Sequence, residues 1–251
     1  MKKTLFKKIL IVLVALLALT AGAFLIWGLT PLGPDGLALS ALESSEAVQV
    51  TQEQNWILFT PADGYQTGFI FYPGGHVDYR SYAPALHQIA AQGFLVALPR
   101  MPLSLAVLDI NRAEKIMAAH PEVQQWALGG HSLGGSMAAN FAYTHPDAVS
   151  GLVLWASYPA ESNDLSGMDI QVISIAGGLD GVVNQERLQQ SAQLLPADTQ
   201  WEVIPGGNHA GFGSYGPQPG DNPTAVATFS LQQTIANLTA EFLLTLSQPV
   251  E

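Results

Sequence analysis

The chain has 251 residues, enough for one sizeable hydrophobic core, and 48% of it is apolar, which excludes a disordered protein. Nine Lys and Arg residues face twenty Asp and Glu, a formal net charge of −11. Four of the nine are Lys2, Lys3, Lys7 and Lys8, so the remainder carries five basic against twenty acidic residues, a net of −15. A body that acidic repels nucleic-acid backbones, and nucleic acid is set aside as a partner. With no cysteine, disulfides and a lipidated cysteine are excluded as well.

The four lysines precede Ile9–Leu29, a run of twenty-one residues without a charge. As a helix it measures about 31 Å, the thickness of a bilayer's hydrocarbon core. Residues 1–30 are therefore expected to form a membrane anchor, with the N-terminus cytoplasmic and the body outside. A cleaved signal peptide is the alternative, with Ala21-Gly22-Ala23 as its small-residue site, which would make the body a secreted protein. The apolar run continues through Phe24-Leu25-Ile26-Trp27, where a mature terminus should turn polar, and this favours the uncleaved anchor.

Residues 31–46, with two prolines, two glycines and several serines, read as a linker, and 47–251 as the folded domain. Ala47–Val50 and Trp56–Thr60 read as a short strand pair. Six apolar runs follow: 68–72 (GFIFY), 94–98 (FLVAL), 125–128, 152–156 (LVLWA), 171–176 (QVISIA) and 201–204. Helical patterns over 83–91, 105–119, 132–143, 184–195 and 229–246 lie among them. Strands alternating with helices predict an α/β fold, a mostly parallel sheet of about eight strands with helices on both faces. Ligands of such sheets bind beyond the carboxyl ends of the strands.

"GGHSLGG" lies at one such end. Gly130-His131-Ser132-Leu133-Gly134 fits G-x-S-x-G, with a strand before it and a helix after it. A serine at this tight turn projects its hydroxyl from the sheet, and the glycines two residues either side remove Cβ atoms that would collide. A phosphate loop would need a lysine that is missing. A serine nucleophile needs a base, and the base an orienting acid. His209 lies just after the last strand, in "IPGGNHAGFGSYG". His131 flanks the serine, while His87, His120 and His145 sit in or at the ends of helices and read as structural. Asp180, in "GGLDGVV" after QVISIA, is the expected acid, with Asp164 in reserve.

The order Ser132…Asp180…His209, with "FYPGGHVDYRSYAPALHQIAAQGFLVALPRMPL", "GGHSLGG", "GLVLWASYPA" and "PGGNHAGFGSYG", resembles the α/β-hydrolase superfamily over residues 47–246. The chain is most similar to small bacterial members of the fold-5 and dienelactone-hydrolase-like kind. The resemblance implies an oxyanion hole formed by the Leu133 amide and by Gly75, with His76 the second choice. Pro73 stands where many relatives have histidine. About a dozen residues separate LVLWA from Asp169, where lidded relatives insert a helical cap, which implies an open site. Trp155, Tyr158, Phe212 and Tyr215 could wall it or pack in the core; Met101-Pro102 and the loop after His209 could border it.

The expected reaction is hydrolysis of a carboxylic ester through an acyl-enzyme. It needs no cofactor, and no H-E-x-x-H or metal-spaced cluster occurs. Thioester or lactone hydrolysis, acyl transfer and peptidolysis would use the same residues. A membrane-tethered binding module on this scaffold is the reading from another class; it should lack a triad member, and none is missing. Activity is expected to fall on acidification as His209 takes up a proton.

Overall fold

The computed structural model describes residues 2–246. It opens with α1 (Lys2–Leu29) and α2 (Gly36–Ser40), then β1 (Val48–Gln52), β2 (Trp56–Pro61), β3 (Thr67–Tyr72), α3 (Ala83–Ala90) and β4 (Leu95–Pro99). After these come α4 (Arg112–Ala119), β5 (Gln125–His131), α5 (Leu133–Thr144), β6 (Gly151–Trp155), β7 (Gln171–Gly177), α6 (Gln185–Gln190), β8 (Gln200–Ile204) and α7 (Thr228–Leu246). The eight strands form one sheet in the order β1-β2-β4-β3-β5-β6-β7-β8. β1 and β2 run antiparallel to each other, and β2 to β4; all other pairings are parallel. This is the α/β architecture expected from the sequence, with an apolar helix ahead of it.

Why the core strands read as unbroken apolar runs is plain from what covers them. In β3, Phe69 and Phe71 face one layer with Leu86 and Ile89 of α3 and Ile235 and Phe242 of α7. Ile70 and Tyr72 face the other, with Ile116 of α4 and Ala138 and Phe141 of α5. Successive side chains of a strand point to opposite faces, so a sheet covered on both sides needs apolar residues at every position.

The structure departs from the expected elements at β5 and over 105–119. β5 continues past Leu128 through Gly129, Gly130 and His131, because Gly130 pairs with Tyr72 and His131 with Trp155. Neighbouring strands thus override the low strand propensity of glycine, and a Cβ on Gly129 would lie 2.7 Å from the Val153 carbonyl oxygen. The helix expected over 105–119 begins only at Arg112; a 3₁₀ turn at Ala106–Leu108, preceded by another at Pro102–Ser104, stands in place of its first half.

Residues 31–46 are folded onto the body rather than hanging free of it. Leu32 bridges Val77: its N–H donates to the His76 carbonyl and its carbonyl accepts from Asp78 N–H, both at 2.9 Å. Asp35 caps α2 by accepting from Ala38 N–H, its own N–H donates to the Ser214 carbonyl at 2.9 Å, and Ala38 is fully buried. His87 bonds the Ala41 carbonyl through Nδ1 and meets Ser45 Oγ through Nε2. In α1, Leu5–Leu29 is long and apolar enough to cross a membrane, and it is uncovered except at its end, where Gly28 is buried.

Candidate active site

Five non-glycine residues have a positive φ among those described: His76, Leu103, Ser104, Ser132 and Ala156. All five follow the carboxyl ends of β3, β4, β5 and β6. Such conformations cost about 1–3 kcal/mol each and persist only where the surroundings enforce them, so this edge of the sheet concentrates backbone strain.

Ser132 sits at φ 52°, ψ −121°, between β5 and α5. Its N–H donates to the Trp155 carbonyl at 3.0 Å, and its carbonyl accepts from Ser136 N–H at 3.1 Å and Ser157 Oγ at 2.7 Å. These bonds hold the turn, and the glycines make it sterically possible. A Cβ on Gly130 would lie 2.5 Å from the Gly134 carbonyl carbon, and one on Gly134 would strike the carbonyl oxygens of Tyr72 and Pro73. Gly134 therefore lets the loop after β3 lie against the first turn of α5. That contact brings Gly75 beside Leu133: the Cβ position of Gly75 is 2.9 Å from Leu133 Cδ2. Gly74 N–H donates to Tyr82 Oη at 3.0 Å and His76 N–H to the Ser104 carbonyl at 2.9 Å. The amides of Gly75 and Leu133 have no partner among the described residues.

His209 and Asp180 form a buried pair. His209 Nδ1–H donates to Asp180 Oδ2 at 2.8 Å, and both side chains are 1% exposed. Asp180 Oδ1 accepts from Val182 N–H and Val183 N–H, each at 2.8 Å. Burial pushes the Asp180 carboxyl up, but the bond and charge of His209 and the two amides outweigh it, and its pKa lies below the usual carboxylate value. The reserve acid, Asp164, is exposed and turns back to accept from Ser166 N–H at 3.0 Å, remote from any histidine bond.

His131 occupies the space behind this pair. It is 1% exposed, and its ring lies 4.4 Å from the His209 ring and stacks on Phe212. Tyr82 Oη, already accepting from Gly74, meets His131 Nδ1 at 2.9 Å. Burial first, then the nearby His209, hold the His131 pKa well below the ordinary imidazole value, outweighing the His209 main chain, which favours the charged ring. A neutral ring thus backs His209. Ser132 Oγ itself forms no hydrogen bond among the described residues.

Two loops forty residues apart are stitched together by side chains that sequence inspection did not single out. Asp221 Oδ1 accepts from Gly181 N–H at 3.0 Å, beside Asp180, while its Oδ2 accepts from Ala210 N–H at 2.8 Å, beside His209. Asn222 Nδ2 donates to the Leu179 carbonyl, and Asn208 Nδ2 to the Asn222 carbonyl. Trp155, Phe212 and Tyr215 belong to the core, whereas Tyr158 is half-buried. His120 and His145 pair with Glu122 and Glu114 away from the site. No group of three His, Asp or Glu residues able to hold a metal occurs among the described residues.

Residues 68–234 match the model of the alpha/beta hydrolase family. The chain belongs to that family. It is an enzyme of the hydrolase type, as the sequence resemblance implied. Solved structures share the fold at low identity. Dienelactone hydrolase from Anabaena variabilis is 17% identical with a TM-score of 0.60, covering 80% of this chain and 99% of that one. The thermophilic esterase Est2 from Thermogutta terrifontis is 14% identical with a TM-score of 0.59, covering 85% and 95%. Carboxyl esterase 2 from Tuber melanosporum is 11% identical with a TM-score of 0.58, covering 80% and 87%. No curated protein sequence matches the chain. The fifteen residues between β6 and β7 contain neither helix nor strand.

Proposed function

We propose that this hydrolase cleaves carboxylic esters through an acyl-enzyme on Ser132, with its body outside the cytoplasmic membrane. His209 takes the Ser132 proton as the hydroxyl oxygen attacks the ester carbonyl, and Asp180 orients the imidazole and stabilises its charged form. The oxyanion is received by the Gly75 and Leu133 amides, the second at a helix N-terminus where peptide dipoles favour negative charge. The protonated His209 then gives its proton to the departing alcohol, and water hydrolyses the acyl-serine by the same route.

The observation that carries this reading is the fully buried Asp180–His209 bond at the same sheet edge as the strained Ser132 turn. The free amides of Gly75 and Leu133 support it, since their neighbours Gly74 and His76 have theirs engaged. Hydrogen bonds from a nucleophilic hydroxyl commonly tighten only with substrate bound, which accommodates the unpaired Ser132 Oγ. The direct test is the full chain acting on p-nitrophenyl esters of increasing acyl length. Ser132→Ala is expected to lower turnover by about four orders of magnitude or more. Equal activity in both proteins would remove Ser132 from the mechanism.

A further inference from the structure

The end of the apolar helix is locked against the loop that carries Gly75. The Trp27 ring stacks on His76, centroids 4.1 Å apart and planes 19° from parallel, and His76 directly follows Gly75. Gly28 lies so close to the loop after β4 that a Cβ on it would be 2.8 Å from Leu103 Cβ. The Leu32–Val77 bridge fixes the chain immediately beyond. The helix therefore has a set direction relative to the site rather than a swivelling one.

Depth follows from length. Within Leu5–Leu29, the charge-free Ile9–Leu29 makes about 31 Å of helix, matching a hydrocarbon core of about 30 Å. With Lys7 and Lys8 at one interface, the last turn reaches the other, where tryptophan is favoured. Gly75 is held at that level, which is also where the ester carbonyls of acylglycerol lipids lie. Leu29, at the helix end, and Val107 and Leu108, in the turn after Leu105, are exposed, and Leu105 Cδ2 comes within 3.7 Å of the Gly75 Cβ position.

Charge on this face runs against the rest of the body. A cavity of about 630 Å³ between the helix end and the domain is lined by Gly28 and Leu103 and, among its charged residues, by Arg80, Arg100, Arg112 and Asp78. Those arginines are three of the five basic residues outside the N-terminal lysine cluster. Arg80 is paired with Asp78 and Arg112 with Asp109. Arg100 is exposed and makes no ion pair among the described residues. Their positions in an acidic chain are scattered, and the fold gathers them beside a helix fit to cross a bilayer.

We infer that this face docks on a phospholipid surface, receives headgroup phosphates in the arginine-lined cavity, and presents the site to esters of membrane-resident lipids. The inference rests on the ester-hydrolase reading above and on retention of the N-terminal helix. Its test uses the full chain reconstituted in phosphatidylcholine vesicles containing a minority of phosphatidylglycerol. A fluorogenic acyl-ester phospholipid is placed either in the same vesicles or in separate ones, and p-nitrophenyl butyrate serves as the soluble reference. The lipid ester is expected to be cleaved at least about tenfold faster in the shared vesicles, because anchoring raises its effective concentration. Arg100→Glu should lower the ratio of lipid to soluble-ester rates by about tenfold. Cleavage of the soluble ester alone, equal rates in shared and separate vesicles, or an unchanged ratio in Arg100→Glu would overturn the inference and leave the ester reading standing. Failure to cleave either ester would overturn both. Edman sequencing of the native protein should find the N-terminal segment intact in the membrane fraction; a chain starting at Phe24 in the medium contradicts the docking.

Discussion

The two halves of the candidate site are built by different physics. On the serine side, position comes from the main chain: β5 pairs on both edges, Ser132 is bonded through its N–H and carbonyl, and glycines let β3 and α5 approach. On the acid–histidine side, position comes from side chains that tie two long loops together, with Asp180, Asp221, Asn208 and Asn222 accepting or donating across them. A steric constraint is absolute where it applies and leaves a local mark in the sequence. A hydrogen-bonded clasp is softer, and its parts are far apart in the chain.

That difference orders the expected effects. Gly134→Ala should be the most damaging substitution short of removing the triad, because its methyl group strikes the Tyr72 and Pro73 carbonyls. Both the fold and the Gly75–Leu133 contact then give way; a loss of about 3 kcal/mol in urea unfolding is expected, together with ester hydrolysis reduced more than about a hundredfold.

Asp221→Ala should act on the other half alone. Freed from Ala210 and Gly181, the His209 and Asp180 loops drift, and kcat is expected to fall by about 10–100-fold with KM little changed. A fall confined to KM, or none, would show that the clasp does not position His209.

The smallest effect is read in acid. The Asp180 carboxyl titrates below its unfolded value, so its ionised form favours the fold. That contribution is fully present above the unfolded pKa of about 3.9 and is lost as pH falls through the lower folded value. Urea midpoints of wild type and Asp180→Asn should therefore differ at neutral pH, begin to converge only as pH falls below about 4, and meet below the lower folded value. A gap that persists there would assign the difference to packing.

The same division explains what was legible beforehand. The central strands β3, β4 and β6 announce themselves as apolar runs, since burial on both faces leaves no room for polar alternation, whereas the edge strands β1 (VQVTQ) and β8 (QWEVI) are largely exposed and carry polar residues. The elbow shows in Gly130 and Gly134, whose side chains cannot be larger. Asp180 and His209 stand out by falling just beyond strands. Asp221 does not, because its value depends on a loop folding back forty residues downstream of Asp180. Nor do Arg80, Arg100 and Arg112, gathered by the fold from a 3₁₀ turn after β3, the end of β4 and the start of α4. The 31–46 segment has the composition of a linker, yet Leu32, Asp35 and Ala38 find partners on the domain that composition cannot disclose. The 105–119 pattern has helical periodicity, but Ser104, left-handed at φ 57°, supplies its carbonyl to His76, and the chain turns twice before α4 can start.

The most direct measurement traps the intermediate. The full chain is reacted with a p-nitrophenyl ester, quenched in acid within the first turnovers, digested and weighed by mass spectrometry. An acyl group on Ser132, absent from Ser132→Ala and accumulating in His209→Gln only at a greatly reduced rate, is the predicted result. An acyl group carried by another residue, or steady turnover with Ser132 never modified, would contradict the account.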